Sequence, residues 1–199
     1  MHTRLILAST SPYRKELLAR LQLHFDVHAP QVDEAPRAGE SFAQTAVRLA
    51  REKALAVAQS RPNAIVIGAD QVASCEGERL DKPGTAERAL AQLQLQRGKT
   101  SEFITAVCVA AKAGQLMKEA AVVTRVRFRS AAALPDGLLR RYITLENPLD
   151  CAGAAKSEGL GIALIESIEG PDPTALVGLP LIALTDLLKT FDVSPLSQS

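Results

Sequence analysis

Near its start the chain runs from an apolar strand directly into a helix that is suited to binding an anion. Residues 4–8, apolar from Leu5 to Ala8, are typical of a buried strand, and a hydroxyl-rich turn follows. Ser11 is a typical N-cap, Pro12 suits the first helical position, and Arg14 falls in the first turn. The free N–H groups and the positive end of the helix would face the same place as Ser9, Ser11 and Arg14. From this segment alone, an ordinary capped helix with a solvated arginine is an equal alternative.

Composition narrows the class of protein. The chain has 199 residues, of which 47% are hydrophobic, enough for the core of one domain or two small lobes. A net charge of +1 and only 4% aromatic residues argue against a nucleic-acid-binding protein. No run reaches the ~18 apolar residues of a membrane span, and no signal peptide is recognisable. The three cysteines lack metal-ligand spacing and suit reduced thiols, so we expect a cytoplasmic protein, with Cys108 as plain core.

The order of the predicted elements indicates an α/β fold with a mixed sheet. Strands and helices alternate in the first half of the chain, and strands cluster in the second half. The predicted strands span residues 4–8, 25–29, 63–69, 100–111, 116–129 and 162–166, with a hairpin over 72–80. The predicted helices span residues 12–23, 41–60, 86–96, 135–145 and 180–191.

Three arginines alternate along the strand predicted over residues 116–129. Arg125, Arg127 and Arg129 would share one face of the sheet. A nucleic-acid stripe is one interpretation of them. We favour a solvated sheet face, because the chain is otherwise balanced in charge.

Asp70 is the first candidate for chemistry. It follows the apolar run Ala64–Ala69, so we place it at the carboxyl end of a central strand, where ligands gather in open α/β sheets. A carboxylate there can bind a hard cation or polarise water. A turn-forming aspartate without a ligand is the equal alternative.

Several cations and carboxylates are weaker candidates. Lys82 is followed by a proline that restricts its backbone, but a lone loop lysine is usually solvated. Glu52 and Lys53 are neighbours on a helix and point in different directions, so one of them could face a cleft, and an exposed pair is the default for them. Glu34 and Arg37 lie three apart in a loop, where a local salt bridge is the alternative.

The segment 151–161 carries glycines that permit close approach to a ligand. Within it, Lys156 could meet a phosphate and Glu158 could accept hydrogen bonds from a base edge. No residues suggest covalent catalysis or a phosphate-binding glycine loop. What remains is the residue set for metal-assisted attack of water on a phosphoanhydride.

Seven motifs, taken together and in order, resemble those of the Maf family of nucleotide pyrophosphatases. They span nearly the whole chain, so the resemblance is specific. The motifs are A-S-T-S-P-Y-R (8–14), V-D-E-x-P-R (32–37), A-R-E-K-A (50–54), I-G-A-D-Q (67–71), D-K-P (81–83), C-A-G-x-x-K-S-E-G-L-G (151–161) and E-G-x-D-P-x-x-L-V-G-L-P (169–180).

The resemblance implies a fold and a reaction. The fold is a single domain over residues 1–199, similar to inosine triphosphatase, with an elongated mixed sheet flanked by helices and a cleft between two lobes. The reaction is hydrolysis of a nucleoside triphosphate to a monophosphate and pyrophosphate, with a divalent cation such as Mg, Mn or Co. Asp70 matches the family's proton acceptor. The positions that match the phosphate and metal site are Ser9, Arg14, Glu34, Lys53 and Lys82, to which we add Ser11 for phosphate, with Glu34 and Asp70 as the metal ligands.

The family divides by the residues around the base. Tyr13, Gln71 and Glu158 follow the branch that includes the 7-methyl-GTP pyrophosphatases. A 7-methylated guanine is cationic, so an aromatic face and a carboxylate would favour it. The chain departs from that branch at Tyr13, where Trp is familiar, and has Ala106 in place of Gly and a small Ala154-Ala155 pair.

We therefore expect a metal-dependent nucleoside triphosphate pyrophosphatase that prefers 7-methyl-GTP and takes neither nucleic acid nor membrane as a partner. Two alternatives stay open: a pyrophosphatase for dTTP and UTP, and a nucleotide-binding regulator of cell division without turnover. The sequence also leaves a homodimer open.

Overall fold

A computed structural model describes residues 4–197 of the chain. The strands are β1 (Arg4–Ala8), β2 (Phe25–His28), β3 (Ala64–Cys75), β4 (Glu78–Leu80), β5 (Thr100–Ala111), β6 (Leu116–Phe128) and β7 (Ile165–Glu169). The helices are α1 (Pro12–Ala19), α2 (Phe42–Ala58), α3 (Ala86–Gln96), α4 (Asp136–Glu146) and α5 (Leu181–Lys189).

All seven strands belong to one mixed sheet. The order is β2-β1-β3-β5-β6-β7, and β4 pairs with β3 outside this path. β1 is parallel to both β2 and β3, whereas the pairs β3–β4 and β6–β7 are antiparallel. The predicted α/β class and mixed sheet are thus confirmed.

The described residues form two compact units. The first contains residues 4–70, 105–122 and 172–197, and the second contains residues 71–104 and 123–171. The chain passes from one unit to the other within β3, β5 and β6.

The first unit has helices on both faces of its part of the sheet. One face packs against α1 and α5 through the side chains of Leu5, Leu7, Leu17, Leu18, Leu23, Ile65, Ile67, Ala69, Val107, Val109, Ala111, Leu179, Leu181, Leu184 and Leu188. Because side chains alternate along a strand, the even-numbered positions of β3 face the other way, toward α2. Gly68 shows this contact directly, since its nearest neighbours are backbone atoms of Ala50 and Ala54.

In the second unit α3 packs beside α4. Alternation along β6 follows the prediction: Val122 to Phe128 are buried at even positions and exposed at odd ones.

Cys108, in the first unit, is fully buried as expected.

Several predicted boundaries were wrong. Helix α1 ends at Ala19 rather than Leu23, because the chain turns at Gln22 with a left-handed φ of 55°. The last strand is β7, three residues later than predicted, because residues 160–164 form 3₁₀ turns before the ladder begins. The final helix likewise begins at Leu181 and ends at Lys189.

The largest correction concerns β3. It does not end before Asp70 but continues to Cys75, because its second half pairs with β4 in the predicted hairpin. Asp70 therefore lies within a long strand. Among residues 4–197, no helix has the length and apolar character needed to cross a membrane.

Candidate active site

The turn between β1 and α1 has the capped geometry that the sequence predicts. The Ser9 hydroxyl is buried and accepts the Ser11 N–H at 3.1 Å. Ser11 caps α1, its hydroxyl accepting the Arg14 N–H at 3.4 Å, and Pro12 opens the helix. A hydroxyl that accepts one hydrogen bond still has a proton to donate. The first turn of α1 contains no acidic residue, so its positive end can serve an anion.

Arg14 is held by the backbone of a distant segment. Its Nε donates to the carbonyl oxygen of Gly178 at 2.9 Å. Burial lowers the pKa of the Arg14 guanidinium, and the carboxylates of Asp70 and Glu34 oppose that shift. A guanidinium stays protonated in proteins, so Arg14 brings a fixed positive charge close to both carboxylates.

The segment that supplies the Gly178 carbonyl is held by a buried aspartate. Asp172 accepts the Thr174 N–H at 3.0 Å with one oxygen and the Ile182 N–H at 2.8 Å with the other. The Thr174 hydroxyl accepts the Leu181 N–H at 2.8 Å. Asp172 and Thr174 thus satisfy the first N–H groups of α5. Sequence reasoning matched this motif to a family but assigned it no role.

Lys53 joins two carboxylates. Its Nζ lies 2.6 Å from Oδ1 of Asp70 and 2.6 Å from Oε1 of Glu34. The Lys53 side chain is 6% exposed and that of Asp70 is 9% exposed, whereas that of Glu34 is 59% exposed. The default of an exposed Glu52–Lys53 pair was wrong for Lys53. The signal was present, because Lys53 lies one turn after Leu49 and Ala50 on the apolar face of α2.

Gly68 has no side chain, and this allows α2 to approach β3 closely enough for Lys53 to reach Asp70. A Cβ on Gly68 would lie 2.2 Å from the Ala50 oxygen and 2.5 Å from the Ala54 nitrogen. Residues two apart in a strand share a face, so Asp70 points to the same side of β3 as Gly68. The close approach of α2 at Gly68 therefore places Lys53 over Asp70.

Asp70 lies inside β3 but just beyond the point where the neighbouring strand β1 ends. The last β1–β3 pair is Ala8 with Gly68, and Asp70 comes two residues later. The turn at Ser9 follows the same pair on the β1 side. The end of β1 thus brings the capped turn and Asp70 to one part of the sheet.

The local salt bridge that was the alternative for Glu34 and Arg37 does not form. Glu34 instead meets Lys53, and Arg37 pairs with Glu52 at 2.8 Å. Both side chains thus find their partners on α2 rather than in the loop. Tyr13, in the first turn of α1, is half-buried.

The remaining predicted residues belong to the second unit. Gln71 is half-buried and follows Asp70 directly. Lys82 is exposed between β4 and α3, and it makes no ion pair with another described residue. Glu158 is exposed, and the Ser157 hydroxyl lies 3.4 Å from its carboxylate.

Buried polar side chains that sequence reasoning missed hold the loop that carries Glu158. The Tyr142 hydroxyl donates to the Ala154 carbonyl at 3.2 Å and accepts the Lys156 N–H at 3.0 Å. Gln96 donates to the Gly153 carbonyl at 2.7 Å. Lys156, which we considered for phosphate, donates to the Glu146 carbonyl at 3.2 Å.

Two of the three arginines, Arg125 and Arg127, lie on an exposed face of β6 beside counter-charges, and Arg129 follows the end of the strand. Arg125 pairs with Glu102 at 3.0 Å, and Arg127 lies 3.8 Å from Glu166. These two glutamates, from the neighbouring strands β5 and β7, weaken any attraction of the arginines for a phosphate backbone, which favours the solvated-face interpretation.

The donor set limits the kind of metal that the site could hold. Within residues 4–197 no three His, Cys, Asp or Glu side chains converge as a metal cluster. Glu34 and Asp70 do converge, on Lys53. Magnesium is usually held by one or two carboxylates together with substrate phosphates, so two carboxylates fit such an ion, but not zinc.

Comparison with known proteins gives a consistent family assignment. The Maf-like protein family matches residues 4–191. The 7-methyl-GTP pyrophosphatase of Ralstonia nicotianae is 55% identical over 190 residues, which cover 95% of this chain and 96% of that protein. The proteins of the same name from Burkholderia thailandensis and Methylobacillus flagellatus are 56% and 52% identical, covering 94% and 92% of this chain and 86% and 94% of their own length.

Two solved structures match the chain loosely. The Ham1 protein of Staphylococcus aureus has a TM-score of 0.45 at 15% identity, covering 63% of this chain and 72% of that one. A Ham1 protein from Coxiella burnetii has a TM-score of 0.42 at 14% identity, covering 63% and 73%.

Proposed function

The chain belongs to the Maf-like protein family, and on that premise we propose that it hydrolyses 7-methyl-GTP to 7-methyl-GMP and pyrophosphate. The observation that carries the proposal is the meeting of Lys53 with Asp70 and Glu34, with Arg14 close by. Relatives above 50% identity bear the name 7-methyl-GTP pyrophosphatase, which supports this substrate.

The cationic residues bind the triphosphate. Arg14 offers the guanidinium nitrogens that its bond to Gly178 does not use, and Lys53 offers an ammonium. Ser9, Ser11 and the N-terminus of α1 donate hydrogen bonds to phosphate oxygens. Lys82 is the further cation proposed for the phosphates, because it makes no ion pair with any other described residue.

Asp70 accepts the proton of the attacking water. Lys53 donates to Oδ1, so Oδ2 is the oxygen that takes the proton. The water oxygen bonds to the α-phosphorus, the bond to the bridging oxygen breaks, and pyrophosphate leaves. A rigid strand holds this base, and burial keeps its position defined.

Glu34 and Asp70 would hold the divalent cation, Mg, Mn or Co. When bound, the cation would offset the negative charge of the triphosphate and polarise the phosphorus. The two carboxylates present fit this role, because hard cations prefer oxygen ligands.

Tyr13, Gln71 and Glu158 read the base. The methylated purine is cationic, so the Tyr13 ring and the Glu158 carboxylate favour it over a neutral base. The substrate is a free nucleotide of the cytoplasm, and neither nucleic acid nor membrane is a partner in this proposal.

A substrate panel tests the proposal. Purified protein is incubated with 7-methyl-GTP, GTP, UTP or dTTP, with Mg, Mn or Co or with a chelator, and monophosphate and pyrophosphate are quantified. We expect the highest kcat/KM with 7-methyl-GTP. With the chelator we expect no hydrolysis of any of the four nucleotides. Water labelled with oxygen-18 should place its label in the monophosphate.

Other outcomes would replace the proposal. A higher kcat/KM on UTP or dTTP would indicate the pyrimidine enzyme. Nucleotide binding without pyrophosphate release under any metal would indicate a regulator.

A further inference from the structure

The loop that carries Glu34 has no helix or strand, yet it presents this carboxylate at a defined place. Residues 29–41 lie between β2 and α2 without regular structure. Glu34 is exposed and nonetheless meets the Lys53 Nζ at 2.6 Å. An irregular segment needs side-chain contacts to hold such a geometry, because loops make few backbone hydrogen bonds of their own.

Arg48 supplies those contacts from α2. Its side chain is only 11% exposed. Nη2 donates to the carbonyl oxygen of Ala35, the residue after Glu34, at 3.0 Å. Nε and Nη2 donate to the two oxygens of Glu40 at 2.6 Å and 2.9 Å. Nη1 donates to Glu52 at 3.1 Å.

Glu40 extends this hold to the end of the loop. Besides the Arg48 fork it accepts the Arg37 N–H at 3.2 Å and the Thr45 hydroxyl at 3.2 Å. Glu52, the other acceptor of Arg48, also pairs with Arg37 at 2.8 Å. One guanidinium, that of the largely buried Arg48, thus ties the loop to the helix on both sides of Arg37.

We propose that Arg48 is a positioning residue for the active site, which holds Glu34 in place through the carbonyl of Ala35. Arg48 and Lys53 lie on the same helix, so the contact fixes the loop to the element that carries the Glu34 partner. The inference rests on the proposed function of Glu34 in holding the cation with its nucleotide. Arg48 acts through Glu34 and sets how firmly that cation is held.

The role needs arginine rather than positive charge alone. The four hydrogen bonds reach three separate groups, and only the planar guanidinium fork has donors in those directions. A lysine has one nitrogen and cannot serve the Ala35 carbonyl and both Glu40 oxygens from the same position.

Variants at Arg48 test this, with Arg51 as the matched control. Arg51 lies on the same helix and makes a bidentate pair with Glu119 at 2.9 Å and 2.6 Å, away from the loop. Arg48→Gln and Arg48→Lys should raise the Mn²⁺ concentration for half-maximal activity by about 10–100-fold, as outer-shell changes do. Calorimetric titration of Mn²⁺ into protein with the α,β-methylene analogue of 7-methyl-GTP should show the same weakening. Arg51→Gln should leave both values unchanged.

Hydrogen exchange makes the test independent of activity. Amides of residues 33–40 should exchange faster in both Arg48 variants and at the wild-type rate in Arg51→Gln. Unchanged exchange of this segment in the Arg48 variants would overturn the inference, as would unchanged Mn²⁺ affinity. An inactive wild-type protein with a loosened loop in Arg48→Lys would instead refute the proposed function and leave the loop contact in place.

Discussion

The ammonium of Lys53 lies 2.6 Å from the carboxylate of Asp70, and both side chains are almost fully buried. The two residues are 17 apart in sequence and belong to a helix and a strand. A buried charge is costly unless it is paired, so this pair has to be formed and kept. Glu34 adds a second carboxylate to the same ammonium from a loop.

Asp70→Asn should lower kcat for 7-methyl-GTP hydrolysis by about 10²–10⁴-fold, because the amide cannot accept the proton of the attacking water. Steady-state pyrophosphate release measures the effect, and circular dichroism verifies the fold. Asp186→Asn, at an exposed position on α5, should keep wild-type turnover. Turnover by Asp70→Asn within threefold of wild type would contradict its role as base.

Gly68→Ala should destabilise the protein and lower activity together. The added Cβ would overlap the Ala50 oxygen, so α2 has to move and Lys53 moves with it. We expect a loss of at least ~1–3 kcal/mol, the cost of overpacking, measured by urea unfolding. Gly137→Ala is the control, since open space surrounds that Cβ and alanine favours a helix. Equal stability of the two variants would refute the tight contact.

Glu40→Gln should reduce stability at neutral pH but not in acid. The Arg48 hydrogen bond holds the pKa of Glu40 at about 2, below its ordinary value of 4.5. The ionised Glu40 therefore contributes stability that is fully present above pH 4.5 and is lost as the pH falls toward 2. Urea unfolding from pH 7 to pH 3 measures the free energy of unfolding of both proteins. The difference in this free energy between wild type and variant should shrink below about pH 4.5. A difference that stays constant over this range would contradict the assignment.

Glu158→Gln should reduce the preference for the methylated base. Hydrogen bonds to charged groups are worth about 1.5–3 kcal/mol, so kcat/KM for 7-methyl-GTP should fall about tenfold to a hundredfold, and that for GTP less. Glu166→Gln, at an exposed position on β7, is the control. Equal losses on both nucleotides would remove Glu158 from base selection.

Cys108 should resist alkylation in the folded protein. Burial raises the pKa of its thiol to about 12, so the reactive thiolate is scarce at neutral pH. Cys151, which is half-buried, should react first with iodoacetamide, and Cys108 only after urea unfolding. Mass spectrometry of tryptic peptides separates the two sites. Rapid labelling of Cys108 in the native protein would show that its strand opens readily.

Local patterns predicted much of the fold. The range predicted for β1 is confirmed, and the helices predicted from residues 41 and 86 begin at the caps Ser41 and Thr85, because each of these signals rests on residues within four positions of one another. The end of β3 was misplaced, because its continuation depends on a partner strand beyond a hairpin. Local sequence carries no information on that partner.

By itself the sequence determined the strand–turn–helix start, the α/β class and the identity of the candidate site residues. Hydrophobic periodicity, helix caps and the order of motifs depend only on residues that are close together in the sequence or on their order along it. Only the tertiary structure decided which charges meet. It buried Lys53 between Asp70 and Glu34, gave Arg37 to Glu52, and joined Arg14 to Gly178. The physical reason is that a charge pairs with whichever counter-charge packing brings within reach, and at Gly68 packing depends on the absence of one carbon atom.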